Sequence, residues 1–356
     1  MALPVTVLPE LTAPIDSVAL DSGVLLRITK HTSESFPSIV SGLLLGLDAD
    51  SLLQITYTFA FPPGETGSGS GSSGADDATN PRSKSNLRFQ TDMIRQLKDV
   101  NIEVNPIGYY ISSYLGGFFN QTLIDSLVGL HSVNPNSIVL VHDVTKSSQG
   151  GLALKAYRLS KSFWAAHKAC NGKFSSESII ENELTHLDIL EEVPLKVKNT
   201  HLATALLQSI DQPAFERKGD PTSLISGTML TPNLDSLDLS IDPYLEKNAE
   251  FLIDSVDDYY AEQGTFNYYQ RQLGREQTKI QQWIQKTRAE NATRERARLP
   301  TVSEDDWSKH FKLPTEPSRL DNLLISAQIN QYCNQIEEYA AVVSNKMFAI
   351  QNGLDA

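Results

Sequence analysis

The sequence predicts an α/β domain built around one mixed sheet and followed by long C-terminal helices. Two apolar runs, SIVSGLLLGLD and SLLQITYTFAF, are too short to span a membrane and too apolar for solvent, as is typical of buried central strands. Such runs alternate with segments of helical periodicity over residues 15–160, which is the pattern of an α/β fold. From Leu245 onward the apolar residues recur every three or four positions, so the rest of the chain is predicted to be helical.

These observations divide the chain into five parts. The α/β domain is followed by two helical stretches, which a proline-containing linker separates. The predicted boundaries are 1–14 for an N-terminal tail, 15–200 for the domain, 201–300 for a helical extension, 301–317 for the linker and 318–352 for a terminal helix.

The domain is predicted to begin with a helix through Val18–His31, followed by the two apolar strands with a turn at Asp48–Asp50 between them. Nine of the eleven residues from Gly64 to Gly74 are Gly or Ser. This composition cannot bury enough apolar surface to offset the entropy of ordering it. We therefore predict a disordered surface loop over residues 63–85.

Beyond this loop, helices and strands alternate again. A helix is predicted around Ile94 and Leu97, and a second helix, FFNQTLIDSLVGLH, separates two further strands. The predicted strands are, in order, NPIGYYISSY, NSIVLVHDV, GLALKAYRL and EEVPLKVKN, and a helix at HLATALLQSI follows them.

The terminal helix carries a continuous apolar stripe of eight residues. Burying them fully would contribute about 12–24 kcal/mol, against roughly 4–15 kcal/mol that association with a partner costs. Two interpretations stay open: the long helices pack on each other or on the α/β domain, or the terminal helix enters a bundle with partner proteins. The residues predicted to face a partner are Ile325, Ile329, Tyr332, Ile336, Tyr339, Val343, Met347 and Ile350.

Charge and cysteine content exclude several classes of protein. Lys and Arg number 30 against 43 Asp and Glu, a formal charge of −13, which argues against broad electrostatic binding to nucleic acid. Cys170 and Cys333 form neither a disulfide framework nor a Cys-x-x-Cys metal clip. Because there is no long apolar run and no basic, apolar N-terminal signal, the chain is expected to be cytoplasmic and to have no membrane partner.

A local basic segment lies within this acidic chain. Between Arg271 and Arg298 there are eight basic and three acidic residues, a local charge of +5. With Tyr268 and Trp283 nearby, the segment could contact RNA through phosphates and stacking. The interpretation we favour is a solvated helix face with ion pairs such as Glu290–Arg294. The candidate RNA-contact residues are Arg271, Arg275, Lys279, Lys286, Arg288, Arg294, Arg296 and Arg298.

The segment Gly108–Tyr114, on a predicted strand and followed by a helix containing Asp125, resembles the metal-site region of MPN domains. This is the fold of the JAMM metallopeptidases, which cleave isopeptide bonds. In active members the strand carries His-x-His, then seven residues, Ser, two residues and Asp, and a Glu lies upstream. Two imidazoles and a carboxylate leave one zinc position open for water, and the Glu acts as general base.

The resemblance places unsuitable residues at these positions. The two His positions fall on Ile111 and Ser113, the Glu position falls on Ile39, and the Asp position misses Asp125 by one residue. The resemblance therefore implies an MPN fold with no metal, no cofactor and no catalytic residues. A zinc isopeptidase is the disfavoured alternative, because losing the general base alone typically costs about 100- to 10,000-fold in rate.

Several segments resemble the h-subunit family of eukaryotic translation initiation factor 3 more than other inactive MPN proteins. They include VALDSGVLLRITKH, MIRQLKDVNIEVNPIGYYISSYLGGF, TKSSQGGLALKAYRLS and, far beyond the MPN region, RLDNLLISAQINQYCNQIEEY. The resemblance implies a non-catalytic scaffold protein that supports small-ribosomal-subunit binding and initiation. Its MPN domain would pair with that of the f subunit, and its terminal helix would enter a bundle shared with PCI-type subunits. An inactive MPN scaffold of the proteasome lid or signalosome is the alternative.

Overall fold

The computed structural model describes residues 15–49, 51–62, 80–102, 104–148, 152–170, 172–216, 242–296 and 307–354. Within them the predicted fold class is confirmed, since an α/β unit with an eight-stranded mixed sheet precedes long helices. The predicted tail 1–14, the loop residues 63–79 and the residues 297–306 around the start of the linker lie outside the described residues.

Strands and helices alternate through the first part of the chain. In chain order they are β1 (Ser17–Asp21), α1 (Ser22–Glu34), β2 (Ser41–Ala49), β3 (Leu52–Ala60), α2 (Lys84–Asp99), β4 (Pro106–Ser113), α3 (Gln121–His131), β5 (Ile138–Asp143), α4 (Val144–Ser148), β6 (Leu154–Leu159), α5 (Lys161–Cys170), α6 (Ser176–Glu181), β7 (Leu190–Val193) and β8 (Leu195–Lys198). The helices that follow are α7 (His201–Glu216), α8 (Asp242–Arg296), α9 (Trp307–His310) and α10 (Leu320–Leu354).

The sheet has the order β7-β6-β5-β4-β2-β3-β1-β8, with β1–β3, β1–β8 and β4–β5 parallel and the other pairs antiparallel. Strands β7 and β8 are separated only by Pro194, yet they occupy opposite ends of this order. The sheet therefore curls until its two edges meet, and the Val18 N–H donates to the Pro194 carbonyl at 2.9 Å. Val18, Ile55, Ile138 and Val193 belong to one buried cluster, which joins residues from both edges.

This arrangement corrects the prediction of one strand at EEVPLKVKN. Pro194 has no N–H to donate to a ladder, so it interrupts the run, and its two halves pair with different neighbours. Glu191 pairs with Arg158 of β6, whereas Val197 pairs with Leu20 of β1.

Two further predictions in this half were wrong. Residues 17–21 form β1 rather than the first turn of a helix, and Asp21 caps α1 instead, accepting from the Gly23 N–H at 3.5 Å. Residues 80–85 were predicted to be part of a disordered loop, but residues 80–83 form a turn and α2 begins at Lys84. The Ser83 hydroxyl caps α2 by accepting from the Asn86 N–H at 3.2 Å. Short polar side chains serve here as helix caps rather than as solvated loop.

The C-terminal helices pack against each other and against the sheet domain. Gly264 and Gly274 lie inside the continuous α8 and do not interrupt it. Leu320, Leu324 and Ala327 of α10 belong to the same buried cluster as residues of α3 and α5. The intramolecular interpretation is therefore confirmed for the first half of α10. None of the helices in the described ranges contains an apolar stretch that could span a membrane.

Candidate functional site: the loop after β4 and helix α10

The residues at the presumed metal positions do not fit a zinc ion. Ile111 packs against an apolar cluster, Ser113 is buried at the end of β4, and Ile39 lies partly exposed just before β2. An isoleucine side chain has no lone pair to donate to a metal ion, and neither have the apolar side chains around Ile111. In the described part of the chain, no group of three His, Cys, Asp or Glu residues is placed to hold a metal ion.

Helix α10 instead lies directly on the loop that follows β4. The buried Gln328 accepts with its Oε1 atom from the backbone N–H groups of Phe118 at 3.3 Å and Phe119 at 3.1 Å. Its Nε2 atom donates to the Gly116 carbonyl at 2.9 Å. Three backbone groups are thus satisfied by one side chain from a helix more than 200 residues away.

Gly116 is needed for this close approach. Its φ angle of +76° lies in the left-handed region, and a Cβ atom added there would lie 2.1 Å from Nε2 of Gln335. Gln328 and Gln335 are two turns apart on α10, so this face of the helix meets the loop through amides. Neither glutamine was predicted from the sequence, because an apolar stripe gives no information about the polar residues beside it.

An aromatic column joins the loop to both long helices. The Tyr114 ring meets Phe251 of α8 edge-on at 5.8 Å, and Phe251 stacks on Tyr332 of α10 at 6.2 Å. Lys247 of α8 donates to the Tyr114 hydroxyl at 3.1 Å. Tyr332, which was predicted to face a partner, is buried between the two long helices within this chain, and burial raises its pKa.

A cavity of about 360 Å³ lies between the ends of β4–β7 and α10. Asp143 lines it and accepts from the N–H groups of Thr145 at 3.0 Å and Lys146 at 3.1 Å, which caps α4. Burial raises the pKa of the Asp143 carboxyl, and these N–H groups oppose the rise. Lys146 bonds to Glu338 at the rim, a half-exposed pair worth at most about 1 kcal/mol.

Comparison with known proteins gives the family. A family model described as the C-terminal region of eIF3h matches residues 147–354. The chain is 44% identical to the H subunit of eukaryotic translation initiation factor 3 from Yarrowia lipolytica, over 95% of this chain and 98% of the relative. The corresponding proteins of Neurospora crassa and Aspergillus terreus are 40% and 39% identical, with coverage of 96% and 97% of this chain and of 97% and 98% of the relatives.

The chain belongs to the H-subunit family of translation initiation factor 3. The predicted resemblance is confirmed, and the proteasome-lid and signalosome families are set aside. The region that the family model matches begins within α4 and contains both long helices. The helix α10, which carries the predicted partner surface, is therefore part of the region by which this family is recognised.

In this member of the family, α10 has two different halves. In the first half Leu320, Leu324 and Tyr332 are buried against the rest of the chain. In the second half Met347 is 59% exposed and Phe348 is 64% exposed. Among the other predicted partner-facing residues, some exposed surface remains at Ile325, Ile329, Ile336, Tyr339, Val343 and Ile350. Val342 and Phe348, which the prediction omitted, are among the most exposed apolar residues of the helix.

The predicted RNA-contact residues divide by position. Arg271, Arg275, Lys279 and Lys286 are exposed on the outer face of α8, whereas Arg288 lies elsewhere around the helix. Lys279 bonds to Glu276 one turn away at 2.7 Å, which is the kind of intrahelical pair that the favoured interpretation predicted. The side chains of Arg294 and Arg296, and the whole of Arg298, lie outside the described residues. An RNA contact stays a prediction.

Proposed function

We propose that this chain is a non-catalytic, cytoplasmic scaffold of translation initiation factor 3. Its sheet domain pairs with the related MPN domain of the f subunit. The second half of α10 enters a helical bundle with PCI-type subunits. Through these two contacts the chain supports the binding of the complex to the small ribosomal subunit, and it contributes no chemistry of its own.

The division of α10 carries this proposal. A helix of 35 residues fastened to its own domain by its first half presents the second half as an extended apolar surface. Exposed Met and Phe side chains on such a helix are costly in water and are typical of a surface that a partner covers.

Simple energetics favour two points of attachment. Burying Val342, Met347 and Phe348 would contribute roughly 1.5–3 kcal/mol each. Association costs roughly 4–15 kcal/mol in lost freedom. The end of α10 alone is therefore marginal as an anchor, and a second contact through the sheet domain makes the attachment stable.

The composition of the presumed metal site supports a non-catalytic role. Ile111, Ser113 and Ile39 stand where imidazoles and a general base would be needed. Gln328 of α10 is hydrogen-bonded to the loop that follows β4, the strand of Ile111 and Ser113. A helix with a structural role therefore lies beside these positions.

The test is a truncation placed by the structure. Removing everything from residue 318 would delete Leu320, Leu324 and Ala327 from the core, so the cut belongs after Ala340. Full-length chain and chain lacking residues 341–356 are used to capture the other subunits. We expect the truncated chain to retain the f subunit and to lose the PCI-type subunits.

A matched pair of double substitutions separates this surface from general stickiness. Met347→Ser with Phe348→Ser alters the end of α10, and Ile180→Ser with Leu187→Ser alters equally exposed apolar residues of the sheet domain. Only the first pair should reduce recovery of PCI-type subunits. Unchanged recovery with the truncated chain contradicts the proposal.

A further inference from the structure

The outer face of α8 carries two blocks of opposite charge. Its residues recur every three or four positions, which places them on one side of a helix. Asn248 and Ile280 are buried on the opposite side. The acidic block consists of Glu246, Glu250, Asp254 and Asp257, and the basic block consists of Arg271, Arg275, Lys279 and Lys286, all of them exposed.

The helix macrodipole does not account for this separation. The dipole favours acidic residues in the first turn and basic residues in the last turn, and its effect fades within those turns. Asp254 and Asp257 lie more than three turns inside a helix that begins at Asp242, and Arg271 lies in its interior. In the described part of the chain, neither Arg271 nor Arg275 has an ion-pair partner.

The two blocks are symmetric about Gly264. Asp257 and Arg271 each lie seven residues from it. Asp254 and Arg275 lie ten and eleven residues away, and Glu250 and Lys279 lie fourteen and fifteen away. A helix with this spacing is complementary to a copy of itself that runs in the opposite direction.

We propose that two copies of this chain pair through the outer faces of their α8 helices, antiparallel, about a two-fold axis at Gly264. Each acidic block then faces the basic block of the other copy, so the contact is isologous and closes at two chains. The pairing concerns the chain outside the assembly and uses a surface other than the end of α10. The pairing does not depend on the proposed function, and each can be disproved without the other.

The centre of the face suits a close crossing. A Cβ atom added to Gly264 would meet nothing within 4 Å, so the backbone there is open to another helix. Tyr260 and Tyr268 lie four residues on either side and are 68% and 62% exposed. In the antiparallel pair, Tyr260 of one copy lies beside Tyr268 of the other.

Charge favours a helix over RNA as the occupant of this face. Phosphates are attracted by the basic block but repelled by the acidic block that continues the same line of residues. A helix with the opposite order of charges matches the whole length. Lys279 then exchanges its Glu276 partner within one helix for Glu250 of the other copy, so one ion pair replaces another.

The test begins with sedimentation velocity on the full chain. At about 0.01 M ionic strength, where charges act over about 30 Å, we expect a dimer. At about 1 M, where the range is about 3 Å, we expect the dissociation constant to rise at least tenfold. A chain that is monomeric under both conditions overturns the proposal.

Charge-block variants assign the dimer to this face. Asp254→Lys with Asp257→Lys makes the face basic throughout its middle, and Arg271→Glu with Arg275→Glu makes it acidic. Each variant alone should be monomeric, and a mixture of the two should form a heterodimer. Dimers that survive in either variant alone place the contact elsewhere, and the Met347→Ser, Phe348→Ser variant then shows whether the end of α10 is responsible.

Cysteine cross-linking reports the direction of the helices. In a Cys333→Ser background, which removes the exposed native thiol, Gly264→Cys should form an intermolecular disulfide under mild oxidation. Glu250→Cys should not, because the two copies of residue 250 would lie about 42 Å apart along an antiparallel pair. Cross-linking through residue 250 contradicts the antiparallel arrangement.

A single-stranded RNA oligonucleotide serves as the competing probe. If the chain is monomeric but binds this probe, and the Arg271→Glu, Arg275→Glu variant does not, the basic block is an RNA contact and the pairing proposal is wrong. If the chain is a dimer at low salt and the probe dissociates it, the pairing proposal is retained. The phosphates then compete with the acidic block of the other copy for the basic block.

Discussion

Gln328 donates its side-chain amide to the carbonyl of Gly116 at 2.9 Å, across 212 residues of sequence. The oxygen of the same amide accepts from two backbone N–H groups of the loop. A buried polar contact therefore sets the position of α10 on the sheet domain, in addition to the apolar packing of Leu320 and Leu324. Such contacts are directional, and they specify one docking position where apolar packing alone tolerates several.

Replacing Gln328 by Ala should destabilise the chain by about 2–4 kcal/mol, because three buried backbone groups lose their partner. The measurement is urea unfolding followed by fluorescence. Gln331→Ala, on the same helix but partly exposed, is the control and should change stability by no more than about 0.5 kcal/mol. Equal losses in the two variants would contradict the structural role of Gln328.

Two glycines should respond to alanine in opposite directions. Gly116→Ala places a Cβ against Gln335 in a left-handed backbone conformation, and we expect a loss of about 1–2 kcal/mol or more. Gly264→Ala lies inside a helix with open space around it, and we expect a gain of about 0.5–1 kcal/mol. Thermal unfolding of the two variants beside the parent chain measures both changes. A stabilising Gly116→Ala would show that α10 does not press on the loop.

The stability of the fold should fall as the pH drops below about 6.5, partly because of His142. Burial lowers the pKa of this imidazole below its ordinary value of 6.5, while its nitrogens are bonded to Thr32 at 2.8 Å and Ser147 at 3.0 Å. Just below pH 6.5 the imidazole of the unfolded chain binds a proton while that of the folded chain stays neutral. Lowering the pH through this range therefore favours unfolding.

Urea midpoints at pH 7.5 and 5.5 test this dependence. His31 and His131 also have lowered pKa values from burial, so the parent chain sums several groups. The difference in pH dependence between the parent chain and His142→Gln gives the contribution of His142 alone. The variant should be less stable at pH 7.5 but should lose less stability on acidification. An unchanged pH dependence would assign the effect to the other histidines.

Zinc should neither bind tightly nor stabilise the chain, because Ile111 and Ser113 replace the imidazoles that would hold it. If the chain had a zinc site, a free zinc concentration of 100 times its dissociation constant would raise the free energy of unfolding by about 2.7 kcal/mol. We expect no shift in the thermal midpoint on adding zinc, and metal analysis after dialysis should find no stoichiometric ion. A stoichiometric zinc ion would restore the isopeptidase hypothesis.

Much of the fold was predictable from local patterns. The runs at β2 and β3 are predominantly apolar, and the stripes of α8 and α10 repeat every three or four residues, so each indicates its own secondary structure. The failures lie at β1 and at Pro194. Residues 17–21 are apolar enough to suit a strand or a helix, and only their pairing with β3 and β8 decides between them.

The candidate site divides in the same way. The absence of imidazoles at residues 111 and 113 is a property of the sequence, so the prediction of a chain without zinc needs no structure. The role of Gln328 is not visible there, because one glutamine on a helix looks the same whether it faces water or a backbone. Tyr332 was assigned to a partner for the same reason, since a helical stripe shows which residues share a face but not what covers that face.

The sequence by itself determined most of the elements, the family, the residue types at positions 111 and 113 and the charge blocks of α8, because these depend on residue identity and on spacing along one chain. Only the tertiary structure decided that the two edges of the sheet meet at Pro194 and that the Gln328 amide binds α10 to the Gly116 loop. Contacts between residues more than 200 positions apart leave no local period, since they depend on how finished elements pack and on the entropy that their packing must overcome.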